Sequence, residues 1–270
     1  MAIIAIARER GALGKLVARE LAQTLNYRFI DKKTVEERLE GLGLDKRQFD
    51  AYDEKKPGLF AALSSVMEDY IRCLKKIMYE EAMQGDCVFL GRGSQYLFRG
   101  IPGVALVRLV APIETRIKRI QDMQNLEYRE AKKQVDRMDR DREGFNRYFF
   151  DTDSKDPSSY HLTINTEGLS ATQICNIIRN LADMIATPEQ IETGQMMFRN
   201  LAMAQTVIRH ILNDCQLPIF FLEAECAGNE VTLSGIAHTY DVVDKAQAAA
   251  LRVVGIERVN NNIRVGRVGQ

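Results

Sequence analysis

Residues 3–18 read IIAIARERGALGKLVA. Ile3, Ile4, Ala5 and Ile6 form a short apolar run of the kind that suits a strand buried on both faces of a parallel sheet. Gly11, Gly14 and Lys15 come next, and then Leu16, Val17, Leu21 and Leu25 fall at helical spacing. Strand, glycine-bearing turn, lysine, helix is the order of a phosphate-binding loop. Glycines let backbone amides curl round an anion, the helix start points free N–H groups and its positive dipole end at it, and a lysine adds full charge. Against the pattern GxxxxGK[ST], Glu9 stands in the first glycine position and Leu16 in that of the magnesium-binding hydroxyl. The alternative reading is an ordinary β-turn-α with a surface lysine.

Working outward, the length of 270 residues suits one large domain or two small ones. The 37 basic and 37 acidic residues cancel, so composition gives no argument for a nucleic-acid partner. No run approaches a membrane span and no export signal opens the chain, so a cytoplasmic protein is expected. The five cysteines include no CxxC pair, so neither a disulfide frame nor a zinc site is indicated, and no metal ligands are assigned.

Tyr27–Ile30 reads as a second short strand, with Asp31 placed to cap the segment after it. Residues 32–57 are charged with weak helical periodicity, and Pro57-Gly58 breaks them. Phe60, Leu63, Met67, Ile71, Leu74 and Met78 then mark a helix over 59–84. CVFL at 87–90 is a buried strand running into Gly91-Arg92-Gly93, an arginine where α/β folds bind ligands. VALVRLV at 104–110 is another strand, and Pro112 opens a helix carrying Arg116 and Arg119. Residues 129–147, REAKKQVDRMDRDREGFNR, interleave Arg137, Arg140 and Arg142 with Asp136, Asp139 and Asp141. That run reads either as a solvated helix laced with i,i+3 and i,i+4 pairs or as a basic lid whose arginines fold over phosphates. Residues 160–165, YHLTIN, are a last strand, and Ser170–Gln173 makes a capping box before a helix. Strands alternating with helices predict a parallel α/β sheet.

Thr187-Pro-Glu-Gln190 is a second capping box, and the domain boundary is placed here: 1–187 and 188–270. Beyond it, residues 196–212 are helical, 219–226 and 230–237 alternate around Gly228-Asn229 as a hairpin, 242–253 are helical, and 255–265 end in a strand. The tail is therefore α-β-β-α-β. Its His210 and His238 read as surface or structural residues.

Four stretches in order, IIAIARERGALGKLVARELAQTLNYRFID, VFLGRGSQYL, LVRLVAPIETRIKRI, and RMDRDR with LTINTEGLS, resemble the cytidylate kinase-like family of P-loop nucleoside-monophosphate kinase relatives over roughly residues 1–185. The resemblance implies an ATP-phosphate loop at Gly11, Ala12, Leu13, Gly14, Lys15 and Leu16, with Mg2+ accompanying ATP. It implies acceptor contacts at Asp31 and Arg92, and catalytic charge stabilisation by Lys15, Arg137, Arg140 and Arg142. Ala12 and Leu13 replace the family's Ser and Gly, KKTVEER comes after Asp31 where cytidylate kinases carry TGAMYR, Gly93 replaces an aspartate that helps read cytosine, and Met138 replaces a lid aspartate. The tail, through EVTLSGIAHTYDVVDKAQAAALRVVGIERVNNNIRV, resembles a BON domain.

These readings lead to three expectations for function. One is ATP-dependent phosphorylation of a nucleoside monophosphate or similar small phosphorylated acceptor. The second is a catalytically weak or inactive nucleotide sensor that signals through the BON domain. The third has the BON tail as the working part, with a protein or lipid partner. Homo-oligomerisation is left open.

Overall fold

The computed structural model describes residues 2–44 and 65–266. Of the sequence readings, residues 45–57, the Pro57-Gly58 break, and Phe60 and Leu63 lie outside the described residues. The chain divides into two compact units, one of residues 1–74 and 84–195, the other of residues 75–83 and 196–270.

The first unit begins with β1 (Ile3–Arg8), whose first five residues are all buried. α1 (Gly14–Leu25), β2 (Arg28–Ile30) and α2 (Lys32–Gly41) come after it. Asp31 caps α2 as expected, accepting the Lys33 N–H at 2.9 Å. α3 (Ser65–Met83) continues the periodic run, and the part of it up to Leu74, which is fully buried, belongs to this unit. β3 (Cys87–Leu90) is buried at every residue and leads into the single turn α4 (Ser94–Leu97). Next come β4 (Val104–Val110), α5 (Ile113–Gln124), the long α6 (Tyr128–Phe150), β5 (Leu162–Asn165) and α7 (Ala171–Ile185). Both halves of the Ser170/Gln173 capping box are formed.

The five strands pair in parallel in the order β2-β3-β1-β4-β5. With β1 in the centre, Ile6 stands beside Leu90 and Val107, and Arg8 beside Leu109. The carboxyl ends of β1, β3 and β4 therefore open side by side, where α/β sheets place ligands. On one face, Val17 and Leu21 of α1 and Ile174 and Ile178 of α7 pack on Ile4, Ile6, Val88, Val107 and Leu109. α5 and α6 join through Ile117, Ile120, Ala131 and Val135.

The pairing of β4 with β5 is extended by a side chain. The His161 N–H donates to Leu106 O at 2.8 Å, and its Nδ1 accepts the Leu106 N–H at 3.0 Å.

α8 (Pro188–Arg209) enters the second unit and ends in a π-turn, His210–Asp214. β6 (Ile219–Ala227) and β7 (Glu230–Ala237) form the antiparallel hairpin, α9 (Tyr240–Ala250) crosses over, and β8 (Arg258–Val265) pairs parallel to β7. The α-β-β-α-β order is the one read from sequence. Its core joins Val207 and Ile211 to Val231, Leu233, Ala246 and Ile263. No described helix is long and apolar enough to cross a membrane.

Burial lowers the His161 pKa. The unfolded chain takes up that proton near pH 6.5, while the folded imidazole, neutral and accepting from Leu106, resists it. The group therefore contributes stability above about pH 6.5 that is lost as pH falls. Unfolding free energy from urea titrations is expected to drop between about pH 7.5 and 5.5, and His161→Asn, which keeps an acceptor but does not titrate, is expected to show a shallower fall.

Candidate functional site: a cation-lined cavity beside the first loop

The loop between β1 and α1 is shaped by two left-handed residues. Gly11 (φ 83°) lies so close to α5 that a Cβ would sit 2.7 Å from Arg116 O, so only glycine fits there. Leu13 (φ 61°) takes the same conformation without being glycine, at a cost of about 1–2 kcal/mol. Packing offsets that cost, because Ala12 is fully buried in the core and Leu13 packs against the same cluster. The two residues that replace the family's Ser and Gly are thus anchors of the loop. At Gly14 a Cβ would fall 2.6 Å from Arg8 Cγ. Lys15 and Leu16 point outward on the first turn of α1, Leu16 being 55% exposed. That turn has no side-chain cap and no acidic residue, so its N–H groups keep their affinity for an anion.

Two arginines of α5 hold the loop from outside. Arg119 donates to Gly11 O at 3.2 Å, and to Thr166 O and Oγ1 at 2.7 and 2.9 Å. Arg116, 9% exposed, donates to Ala111 O at 3.0 Å and to Arg10 O at 3.3 Å, and pairs with Glu9 at 3.3 Å. Glu9 also pairs with Arg108 at 3.1 Å. From α6, Asp139 accepts from the Arg116 guanidinium and from the Arg10 backbone N–H at 2.8 Å, and lies 3.5 Å from Arg142. Burial and neighbouring Arg8 pull the Arg10 guanidinium below its ordinary pKa, with Asp139 opposing.

Between these elements lies a cavity of about 410 Å3, floored by Gly91-Arg92-Gly93. All three of those residues are left-handed, with φ 77°, 60° and 73°. Arg92 is 4% exposed, and its guanidinium stands 3.7 Å from Glu36 of α2. Arg8, Arg108, Arg116, Arg140, Arg142 and Lys155 also line the space, against the carboxylates of Glu9, Asp136, Asp139 and Glu143. A Cβ at Gly93 would lie 2.3 Å from Phe150, whose ring stacks on Tyr96 with centroids 5.5 Å apart. Tyr160 closes another side, its hydroxyl donating to Ser154 O at 3.0 Å, and burial raises its pKa.

Of the residues singled out in the sequence, the cavity gathers Arg92, Arg140 and Arg142. Gly11, Ala12, Leu13, Gly14, Lys15 and Leu16 lie outside its lining, on the adjoining loop and helix start. Arg137 is exposed on α6, and Asp31 is engaged as the cap of α2. Arg8, Glu9, Arg108, Arg116, Asp139 and Lys155 were not proposed as site residues from the sequence. Arg108 carried a signal there, as a charge inside the otherwise apolar VALVRLV strand. Asp139 and Lys155 carried none, because their neighbours come from elsewhere in the chain.

The model of the cytidylate kinase-like family matches residues 3–168, and that of the BON domain matches 201–267. The chain belongs to the cytidylate kinase-like family. Its similarity extends to a cytidylate kinase of Pyrobaculum islandicum, 28% identical over 192 residues, covering 69% of this chain and 94% of that protein. Another, from Staphylothermus marinus, is 32% identical over 111 residues, 41% of this chain and 62% of that protein. Among solved structures, an uncharacterized protein from Eubacterium ventriosum superposes with TM-score 0.55 at 20% identity, covering 68% of this chain and 98% of that one, which is a likeness of fold. The family's kinase fold is here followed by a BON domain.

Asp139 ties the family's first loop to α6. Replacing it leaves Arg116 buried with one partner fewer and the Arg10 N–H unanswered. Asp139→Ala is expected to lower unfolding free energy by about 1–3 kcal/mol, read from chemical denaturation, with Asp141→Ala on the same helix as the control that changes little.

Proposed function

We propose that this chain transfers a phosphoryl group from ATP to a nucleoside monophosphate, cytidylate-like, or to a similar small phosphorylated acceptor. The observation that carries the reading is the cavity at the carboxyl ends of β1, β3 and β4, where cations from separate segments of the chain converge. Such convergence suits a multiply charged anion, and phosphoryl transfer depends mostly on positioning and charge stabilisation. In this reading residues 1–187 are the phosphotransferase domain, and 188–270 are a linker helix and BON-like domain that contacts a protein or lipid partner.

An ATP phosphate fits the turn from Gly11 to Leu16. The uncapped start of α1 offers backbone donors, and exposed Lys15 swings over them. ATP, when bound, supplies the transferred group. Arg92 grips the acceptor phosphate from the floor, while Arg140 and Arg142 on α6 approach from the opposite side and offset charge on the moving group. Arg137 lies outside the cavity lining, and in this reading it takes part only if α6 shifts. Asp31 caps the helix bearing Glu36, so it acts on Arg92 through that helix.

Magnesium in this reading arrives on the phosphates of ATP, and the protein's own contact to it is altered, because Leu16 puts an apolar chain where the hydroxyl belongs. This observation favours a second reading, nucleotide sensing without turnover, relayed through the BON domain.

Thermal-shift titration with ATP, ADP and the nucleoside monophosphates, with and without magnesium, tests both. Ligand at about 100 times its dissociation constant adds about 2.7 kcal/mol of stability. Lys15→Ala is expected to weaken triphosphate binding about 10- to 100-fold, and Arg92→Met to abolish the monophosphate shift while sparing ATP. ADP release with one monophosphate supports the kinase reading, and binding without release supports the sensor. No shift with any nucleotide sinks both.

A further inference from the structure

His210, read from sequence as a surface or structural residue, is brought together with Cys215 by the π-turn that ends α8. An α-helix places i and i+4 on one face, but the i+5 hydrogen bond of a π-turn aligns i with i+5. Here the Cys215 N–H donates to His210 O at 2.9 Å. The same turn sets Cys215 Sγ 3.6 Å from His210 Nε2, and Asp214 Oδ2 3.0 Å from His210 Nδ1. A carboxylate accepting at Nδ1 fixes the proton on that nitrogen and leaves the Nε2 lone pair facing the thiol. Thiol, imidazole and carboxylate thus stand in the order that activates a cysteine nucleophile.

The surroundings point the same way. His210 and Asp214 line a cavity of about 650 Å3 within the second unit, separate from the arginine-lined site. Arg199, Arg209 and Arg252 also line it, together with Lys76, which is paired to Glu80 at 2.5 Å. Cys215 itself lies outside that lining, next to His210. Cys215 is itself half-buried, whereas Cys73, Cys87 and Cys175 are buried. Burial pushes the thiols of Cys175 and Cys226 up to about 11, which keeps them protonated and inert.

We propose that Cys215, activated by His210 and Asp214, is a site of covalent modification by hydroperoxides. Nε2 takes the thiol proton, and the sulfur attacks one peroxide oxygen. The S–O bond forms as the O–O bond breaks, and the departing alkoxide or hydroxide takes the proton back from the imidazolium. The thiol is oxidised by two electrons to a sulfenic acid, and the hydroperoxide is reduced to an alcohol or water. The site depends on neither nucleotide nor acceptor.

The test uses the full chain, treated with limiting hydrogen peroxide in the presence of dimedone and, separately, with limiting iodoacetamide, each followed by peptide mass spectrometry. Cys215 is expected to carry the dimedone adduct and to alkylate at least about 10-fold faster than Cys226. His210→Gln is expected to slow both reactions at Cys215 by about 10-fold or more, to leave the Cys226 rate unchanged and to leave the melting temperature within error. Asp214→Asn is expected to slow them less. Equal rates at Cys215 and Cys226, or a Cys215 rate indifferent to His210→Gln, overturns the proposal. If His210→Gln lowers the melting temperature, the Asp214→Asn rate decides instead, and no slowing there overturns it too.

Discussion

The carboxylate of Asp139 is the constraint on which the first unit's functional face depends. One side chain binds a backbone amide of the β1–α1 loop, a guanidinium of α5 and a guanidinium of its own helix. Without it, Arg10, Arg116 and Arg142 would crowd positive charge around a loop that begins next to Arg8 at the end of β1. With it, that charge is balanced in place and still faces a cavity. Glu9 plays the matching part on the other side, joining Arg108 of the sheet to Arg116 of α5. The site is thus an ion network in which carboxylates hold cations apart at fixed positions. A surface pair in water contributes little, but Arg116 and Arg92 are nearly buried, so loss of a partner there leaves a charge out of contact with water.

The fold was legible because it is written in local patterns. IIAIAR, CVFL and VALVRLV are apolar runs of strand length, and each became a central strand. Ser170 and Gln173 announced the start of α7 by their spacing alone. The hairpin around Gly228-Asn229 and the crossover helix after it were readable for the same reason. The site was legible only in part. Arg92 was visible because two glycines flank it at a strand end, and Arg140 and Arg142 because resemblance marked them. Asp139 looked like one of three interchangeable acids in a charged helix, and nothing local distinguishes it. Its partners lie 129 and 23 residues away, so its role appears only when the chain is folded.

The same contrast explains His210 and Cys215. Five residues apart on an ordinary helix, they would diverge by more than a quarter turn. Only the widened turn aligns them, and sequence periodicity gives no warning of a π-turn. Residues placed by regular geometry are readable, whereas residues placed by a departure from it are not.

Gly93 and Phe150 fix the shape of the loop beside Arg92. Gly93 stands where the resemblance implies an aspartate, and the space a side chain would enter there is taken by the Phe150 ring, itself stacked on Tyr96. A left-handed glycine with a φ of 73° lets the ring close over the loop, and the ring in turn forbids a carboxylate at that position. Gly93 itself lines the cavity, whereas Phe150 and Tyr96 are not among its lining residues. In the proposed reading, an acceptor base therefore meets no carboxylate at this position, and recognition there rests on shape and not on a hydrogen bond from residue 93.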